Sequence, residues 1–233
     1  MLINGCSFSR GPDSWPYHLG CNIVNLAQAG AGNTYIHEST VTELSKRKYD
    51  AVTIMWTSPQ RLDLRVDDIS VFSESKYTSF YQKLQNDWPE KIVCPVNDQD
   101  YVDPNWVFGC GHINGEKALK NLRAFDSIYK FQSQDQFNQA FLIKLISTQN
   151  TLKQLNIPYL FTFYHPYFDS LRDYDLFRLV DMNSIYNDKN ILDIMKLNNW
   201  YDVDGAHPGK QAHKAWANII EQVWQNKLTL RSR

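Results

Sequence analysis

Short apolar runs alternate with amphipathic stretches along the first part of the chain. The runs lie at 1–4, 22–27 and 51–56, and each is followed by turn-forming or polar residues. The segments between them, at 12–19 and 34–46, carry apolar residues three or four positions apart, a spacing that predicts helices. Three strands alternating with two helices predict a βαβαβ unit, and therefore a parallel sheet in an α/β protein.

The same alternation returns near the C-terminus. Apolar residues at helical spacing predict a helix over 134–155, and a continuous apolar run predicts a fourth buried strand over 159–164. Further helices are predicted over 191–197 and over 210–227, where an apolar stripe marks the buried face. His213, within the last of these helices, is expected at the surface.

Residues 62–133 interrupt this pattern. They show no clean helical or strand periodicity and contain many aromatic residues among polar residues and turn formers. A structureless loop of that length is rare inside a compact domain. We therefore predict a single domain over 1–233 that carries a large, partly helical, aromatic-rich insertion at 62–133. Two interpretations of the insertion stay open: a packed structural elaboration, and a lid or substrate-binding wall.

Composition and charge narrow the class of partner. The chain has 233 residues, 43% of them hydrophobic, and its 24 basic and 25 acidic residues give a net charge of -1. This balance provides no electrostatic attraction to nucleic acid or to an anionic membrane surface. No apolar run reaches the roughly 18 residues of a membrane span. We expect neither nucleic acid nor membrane as a partner, and nothing in the sequence indicates an oligomeric state.

The N-terminal residues and the cysteines bear on location and on metals. The first residues lack the basic region and longer apolar stretch of a signal peptide, which predicts a cytoplasmic protein. The four cysteines, Cys6, Cys21, Cys94 and Cys110, lack metal-ligand spacing and are expected to be reduced. Asp202, Asp204 and His207 cluster in sequence, but no calcium-loop or HExxH pattern surrounds them. We therefore expect no metal and no cofactor.

Several predicted loops fall at the carboxyl ends of the strands, the edge where open α/β sheets bind ligands. These loops carry Ser7, residues 30–33, residues 57–61 and His165. The turn before the last helix, residues 204–207, is placed to reach the same edge. Ser7 alone fits either a helix N-cap or a nucleophile on a strand-to-helix turn.

The residues around His207 suit the activation of such a serine. A serine nucleophile needs a base, and the ordinary pKa of histidine, near ~6.5, suits that role at neutral pH. The histidine in turn needs an acceptor at its other ring nitrogen, which Asp204 supplies from three residues away, with Asp202 as the weaker alternative. Gly30 lacks a Cβ, so backbone N–H groups beside it can approach an oxyanion closely.

Three blocks in this order resemble the SGNH/GDSL hydrolase superfamily: Gly5-Cys6-Ser7-Phe8-Ser9, Asn25 followed by Gly30, and Asp204-x-x-His207-Pro208. The resemblance implies a three-layer α/β/α, flavodoxin-like SGNH hydrolase fold with a central parallel sheet. It also implies a Ser-His-Asp triad of Ser7, His207 and Asp204, with oxyanion-hole N–H groups from Ser7 and Gly30. The implied activity is that of a serine esterase on a small acyl ester, with an O-acetyl group on a carbohydrate as one candidate.

Two positions depart from the family pattern. Cys6 stands where the family usually has Asp, and the third block, usually Gly-x-Asn-Asp, reads Trp56-Thr57-Ser58-Pro59-Gln60-Arg61. The oxyanion-hole Asn therefore falls on Ser58, with Asn33 and Arg61 as alternative donors. The Gly-Cys-Ser-Phe opening resembles a divergent branch that occurs in phage and bacterial sequences, and phage origin would allow association with the virion.

The departure at Ser58 keeps a second function open: a glycan-binding or structural accessory protein that retains the fold without turnover. Beyond the triad, Arg61, Trp56 and His165 are expected to contact substrate. For Arg61 two roles stay open, because the guanidinium suits either a substrate carboxylate or an acidic group of the insertion.

Overall fold

The computed structural model describes residues 1–65, 106–109 and 131–231. Its strands are β1 (Leu2–Asn4), β2 (Val24–Asn25), β3 (Val52–Trp56), β4 (Leu62–Arg65), β5 (Trp106–Gly109) and β6 (Tyr159–Phe163). Four of them form a sheet in the order β2-β1-β3-β6, and every neighbouring pair is parallel. The predicted parallel sheet is confirmed, and the strand order is of the doubly wound, flavodoxin-like kind.

The helices agree closely with the predicted segments. They are α1 (Asn33–Lys46), α2 (Gln134–Gln154), α3 (Ile191–Asn198) and α4 (Lys210–Arg231). The start of α2 has a reciprocal cap: Ser133 Oγ accepts from the Gln136 N–H at 3.2 Å, and Gln136 Oε1 accepts from the Ser133 N–H at 2.8 Å. Such a capping box satisfies N–H groups that a helix end leaves unpaired.

The helix predicted over 12–19 is wrong. In its place lies one short 3₁₀ turn, Trp15–His18, with Pro16 near its start. An α-helix that began at Pro12 would hold Pro16 in its interior, where proline lacks the N–H needed to bond the carbonyl four residues earlier. Gly11, at φ +94°, turns the chain just before this segment.

The central sheet is covered on both faces. Leu2, Ile54 and Phe161 belong to the core cluster formed with α1 and α2, whereas Ile3 and Met55 belong to the cluster formed with α3 and α4. Successive strand residues point to opposite faces, so each strand contributes to both clusters. The result is the predicted three-layer α/β/α arrangement.

Asn4, the last residue of β1, fastens this strand to α1. It is fully buried, and its Nδ2 lies 2.8–3.0 Å from the Ile36 carbonyl, Ser39 Oγ and Thr40 Oγ1. Its Oδ1 accepts from the Gly5 N–H at 2.8 Å. A buried amide with both ends bonded fixes its surroundings, because any displacement leaves polar groups unsatisfied. The chain therefore leaves β1 toward Ser7 in one defined direction.

The predicted insertion is described only at its two ends. β4 and β5 pair antiparallel, with Leu62 opposite Gly109 and Arg65 opposite Trp106. The residues between these strands, and those from 110 to 130, lie outside the described part of the chain. The lid and substrate-wall interpretations therefore concern residues that the structure does not describe.

Two kinds of feature are absent from the described residues. Within those residues, no helix combines the length and the hydrophobicity needed to cross a membrane. The same part of the chain holds no group of three or more His, Cys, Asp or Glu side chains arranged to bind a metal ion.

His213 is buried, which corrects the expectation that it lies at the surface. The residue is 8% exposed and stands on α4 three and four positions before the buried Trp216 and Ala217. Burial, followed by the charge of His18, lowers its pKa to about 4, although Asp202 acts in the opposite direction. A buried imidazole resists protonation because the charged form loses its hydration.

This histidine should make the fold sensitive to acid. In the unfolded chain His213 takes up a proton near pH 6.5, whereas in the folded chain it does so only near pH 4. The stability that depends on a neutral His213 is therefore fully present above pH 6.5 and is lost as the pH falls toward 4. At pH 5 the loss is about 2 kcal/mol. We expect His213→Gln to shrink the difference in unfolding free energy between pH 7 and pH 5 by about that amount, measured by urea denaturation. An unchanged difference would contradict this.

Candidate active site

Ser7 begins a tight turn directly after β1. The 3₁₀ turn Ser7–Ser9 is closed by the Ser9 N–H donating to the Cys6 carbonyl at 2.9 Å. A Cβ at Gly5 would lie 2.7 Å from Ser9 Oγ and 3.1 Å from the Met55 carbonyl, so a larger residue would force the turn and the end of β3 to shift. The turn thus lies hard against the end of β3, with Ser7 partly exposed at the carboxyl edge of the sheet.

The loop before α4 is shaped by its own hydrogen bonds. Gly205, at φ +68°, donates its N–H to the Asp202 carbonyl at 2.9 Å, and Asp202 donates its N–H to the His207 carbonyl at 2.8 Å. Asp204 Oδ1 accepts from the N–H groups of Ala206 and His207 at 2.8 and 2.9 Å. An Asp side chain that bonds the backbone two and three residues on explains why Asp and His are three apart.

The structure brings Ser7, His207 and Asp204 together in one hydrogen-bonded chain. Ser7 Oγ lies 3.2 Å from His207 Nε2, although the two residues are 200 positions apart in sequence. On the other side of the ring, His207 Nδ1 lies 2.5 Å from Asp204 Oδ2. The alternative orienting residue, Asp202, instead accepts from the Val203 N–H at 2.8 Å.

The charge state of Asp204 determines which atoms carry hydrogens in the hydrogen bonds that join Asp204, His207 and Ser7. Partial burial raises its pKa, but hydrogen bonds from the His207 and Ala206 N–H groups and from the His207 ring outweigh burial, so the pKa is lowered. An ionised carboxylate only accepts hydrogen bonds, and Nδ1 must therefore carry the hydrogen that faces it. In a neutral imidazole this leaves Nε2 as the acceptor for the Ser7 hydroxyl, the arrangement that proton removal requires.

Phe8 supports the histidine ring and was not anticipated from the sequence. Its ring centroid lies 5.2 Å from that of His207 and 5.0 Å from that of Tyr164, and both ring pairs are tilted. Phe8 itself is buried. Tilted aromatic contacts at this separation are favourable and directional, so they help to hold the imidazole in place. The only sequence signal was an aromatic residue immediately after the candidate nucleophile.

Gly30 lies on the neighbouring loop, between β2 and α1. It adopts φ +80°, a conformation that residues with a side chain rarely adopt. The Gln28 N–H donates to the Gly5 carbonyl at 3.2 Å, and this hydrogen bond holds the loop beside the Ser7 turn. Among the residues that the structure describes, the N–H groups of Ser7 and Gly30 donate to no backbone acceptor. Two backbone donors at this edge are thus not used by the turns that carry them.

Asn33 does not fit the predicted role of oxyanion donor. It is buried, its Nδ2 donates to the carbonyls of Thr57 and Ser58 at 3.0 Å each, and its Oδ1 accepts from the Thr57 N–H at 3.1 Å. Both amide hydrogens are therefore taken by the chain that leaves β3. Asn33 instead holds that segment in place, and Ser58 stays the predicted third donor.

Trp56 also needs correction as a substrate contact. It is fully buried, with its ring 5.6 Å from Phe141 and 5.4 Å from Phe161 in edge-to-face contacts. As the last residue of β3 it points to the α1 and α2 face, together with Val52 and Ile54. It belongs to the core and does not reach the site.

Arg61 and His165 lie on loops of the same sheet edge. The Arg61 guanidinium carbon lies 5.7 Å from the ring centroid of Tyr164, and Nη1 makes a long contact of 3.4 Å to the Ala31 carbonyl beside Gly30. His165 is exposed, with its ring nearly parallel to that of Tyr167 at 6.5 Å. Partial burial, then the charge of Lys196, lowers its pKa.

Comparisons with known proteins inform the fold. Neither a protein-family model nor a curated protein sequence matches the chain. Among solved structures, the chain is similar to psychrotrophic esterase EstA from Pseudoalteromonas, in a crystal structure inhibited by monoethylphosphonate. The two share 12% sequence identity with a TM-score of 0.51, over 98% of this chain and 97% of that chain. The match extends over nearly the whole of both chains and supports the α/β fold.

Removing the Asn33 side chain should destabilise the protein. Asn33→Ala leaves two carbonyls and one N–H of the buried segment at 57–58 without their partner. The expected loss is about 1–3 kcal/mol of unfolding free energy, measured by urea denaturation. Asn187→Ala, which removes one exposed contact of 3.3 Å to Asp169, is the matched control and should change little. Equal losses of unfolding free energy in the two variants would contradict the role of Asn33 in holding residues 57–58.

Proposed function

We propose that this protein is a serine hydrolase that cleaves small acyl esters. The observation that carries the proposal is the chain of two hydrogen bonds from Ser7 Oγ to His207 Nε2 and from His207 Nδ1 to Asp204 Oδ2, at 3.2 and 2.5 Å. A nucleophile, a base and a group that orients the base are the three parts that acyl transfer by serine requires. The esterase with a similar fold supports the same class of reaction.

The first half of the proposed reaction forms an acyl-enzyme. Ser7 Oγ attacks the ester carbonyl carbon while His207 Nε2 takes the hydroxyl proton. Asp204 stabilises the imidazolium that results. When the tetrahedral intermediate collapses, Nε2 gives the proton to the leaving alkoxide, so that an alcohol departs and the acyl group stays on Ser7.

The second half restores the enzyme. Water replaces the alcohol, His207 Nε2 takes a proton from it, and the hydroxide attacks the acyl carbonyl. Collapse breaks the bond to Ser7 Oγ, which regains its proton from Nε2 as the carboxylic acid leaves. Each half-reaction therefore returns His207 to its neutral form.

The oxyanion formed in both halves needs donors aimed at one point. We assign this role to the N–H groups of Ser7 and Gly30, which donate to no backbone acceptor among the described residues, with the Ser58 hydroxyl as third donor. A hydroxyl supplies one hydrogen bond where the family pattern has an amide, and one lost donor lowers rates by about 10²–10³. We therefore expect moderate turnover.

The proposed substrate is an ester of a small acid, with O-acetyl groups on a carbohydrate as the candidate. The resemblance of the sequence blocks to SGNH/GDSL hydrolases supports this, as do the many aromatic residues of 62–133, since aromatic faces suit stacking on sugars. Of the His207 side chain, 42% is exposed, which favours a substrate whose alcohol extends away from the described part of the chain. Arg61 and His165 are proposed to contact that alcohol.

Replacing the nucleophile should abolish turnover without unfolding the protein. We expect Ser7→Ala to lower kcat/KM for p-nitrophenyl acetate by at least about 10³-fold, because no other group takes over the attack. The melting temperature should stay near that of the wild type, since Ser7 is at the surface edge of the sheet. Ser45→Ala, on an exposed position of α1, is the matched control and should keep full activity.

The same assay tests the alternative function. A wild type that cleaves neither p-nitrophenyl acetate nor acetylated xylan, yet binds that glycan, would replace the esterase by a glycan-binding protein that keeps the fold. The substitution of Ser58 for the family Asn is the feature that favours this outcome.

A further inference from the structure

Asp63 is a buried carboxylate outside the triad. It is the second residue of β4, only 5% exposed, and both of its oxygens point at the start of α1. Oδ1 accepts from the Gly32 N–H at 2.6 Å, and Oδ2 accepts from the Tyr35 N–H at 2.8 Å. The N-terminus of α1 has no side-chain cap of its own, because its N-cap residue is Gly32. Asp63 therefore provides the cap from a distant part of the chain.

Gly32 is pressed against the segment that carries this carboxylate. A Cβ at residue 32 would lie 2.8 Å from each Asp63 oxygen and 2.5 Å from the Arg61 carbonyl. Those distances are shorter than real Cβ contacts, so the glycine is required for the approach. Arg61 Nη1 adds a long contact to the Ala31 carbonyl. Arg61 and Asp63 thus contact Ala31 and Gly32, the two residues that follow Gly30, and Asp63 also binds the first turn of α1.

A carboxylate that caps a helix at a buried position loses favourable hydration free energy. Burial raises the pKa of Asp63 to about 7, against the N–H groups of Tyr35 and Gly32 and the charges of Arg61 and Lys144, which lower it. A neutral Ser, Thr or Asn caps a helix without that desolvation. In its ionised form the carboxyl accepts two strong, directional hydrogen bonds at the positive end of the helix. Such bonds suit a loop whose position must be held closely.

We propose that Asp63 is a positioning residue of the ester hydrolase site, which holds the loop 30–33 so that the Gly30 N–H points at the oxyanion. This rests on the proposed function. Asp63 touches no reacting atom and acts through the two N–H groups that it binds. Because Gly30 lies two residues before Gly32, displacement at Gly32 passes directly to the donor. Tight placement matters, since small misalignments of an oxyanion donor weaken catalysis steeply.

The test compares Asp63→Asn with the wild type in the full-length protein. Asn keeps the size but turns an N–H₂ group toward one of the two N–H donors, so one hydrogen bond becomes a repulsive contact. We expect kcat for p-nitrophenyl acetate to fall about 10- to 100-fold with KM changed less than threefold, since oxyanion contacts act mainly in the transition state. Gly32→Ala, which forces the loop away from Asp63, should give the same pattern.

Asp181→Asn is the matched control. Asp181 also accepts from a backbone N–H, that of Asn183 at 3.1 Å, and it bonds the Tyr159 hydroxyl at 2.9 Å at the opposite edge of the sheet. Its substitution should lower the melting temperature but leave kcat within twofold of the wild type.

The outcomes separate the two proposals. An active wild type whose kcat is unchanged in both Asp63→Asn and Gly32→Ala, with only the melting temperature lowered, overturns the positioning role and leaves the esterase standing. A wild type without esterase activity overturns the esterase and the positioning role together. Should Asp63→Asn fail to fold, Gly32→Ala decides: a kcat-specific loss supports the role, and an unchanged kcat overturns it.

Discussion

The pairing of β1 with a parallel strand on each side determines where chemistry can occur in this protein. β1 has only three residues, yet Leu2 lies opposite both Val24 and Val52 in register, and the whole strand is buried. A parallel sheet sends every strand end to the same edge, so the turn that begins at Ser7 lies beside the loops that follow β2 and β3. The loop before α4 brings His207 to that edge from the far end of the chain.

Buried polar side chains on the α1 side of the sheet give these loops their rigidity. Asn4 binds the end of β1 to α1, Asn33 binds the start of α1 to the segment after β3, and Asp63 binds the same helix start from β4. Each hydrogen bond contributes little net stability, but each leaves a costly unsatisfied group when it is broken. The end of β1, the segment after β3 and β4 are therefore all linked to α1, the first through its second turn and the other two through its start.

Much of this organisation could be predicted because the signals are periodic or local. Strands β1, β3 and β6 are continuous apolar runs, and α2 and α4 carry clear stripes, so their positions follow from the pattern alone. The meeting of Ser7 with His207 was predicted from residue types at strand ends together with the three-residue spacing of Asp204. Those inferences combined the rule that parallel strands end at one edge with the resemblance of three sequence blocks to SGNH/GDSL hydrolases.

The errors have physical causes. A strand buried on both faces is apolar throughout, so the sequence does not tell which face Trp56 occupies, and the structure places it in the core. His213 is three residues before Trp216 and four before Ala217, so its burial is consistent with helical spacing. It was expected at the surface because histidine is polar. The role of Asp63 is a tertiary contact from a segment without periodicity, and no local pattern records it.

The account depends most on whether His207 activates Ser7, and covalent labelling measures that directly. We would treat the protein with a fluorophosphonate and locate the adduct by peptide mass spectrometry, with His207→Gln alongside. The account predicts one phosphonate per chain, attached to Ser7, and labelling at least about 10²-fold slower in His207→Gln. No adduct, an adduct on a different serine, or equal labelling rates in the two proteins would contradict it.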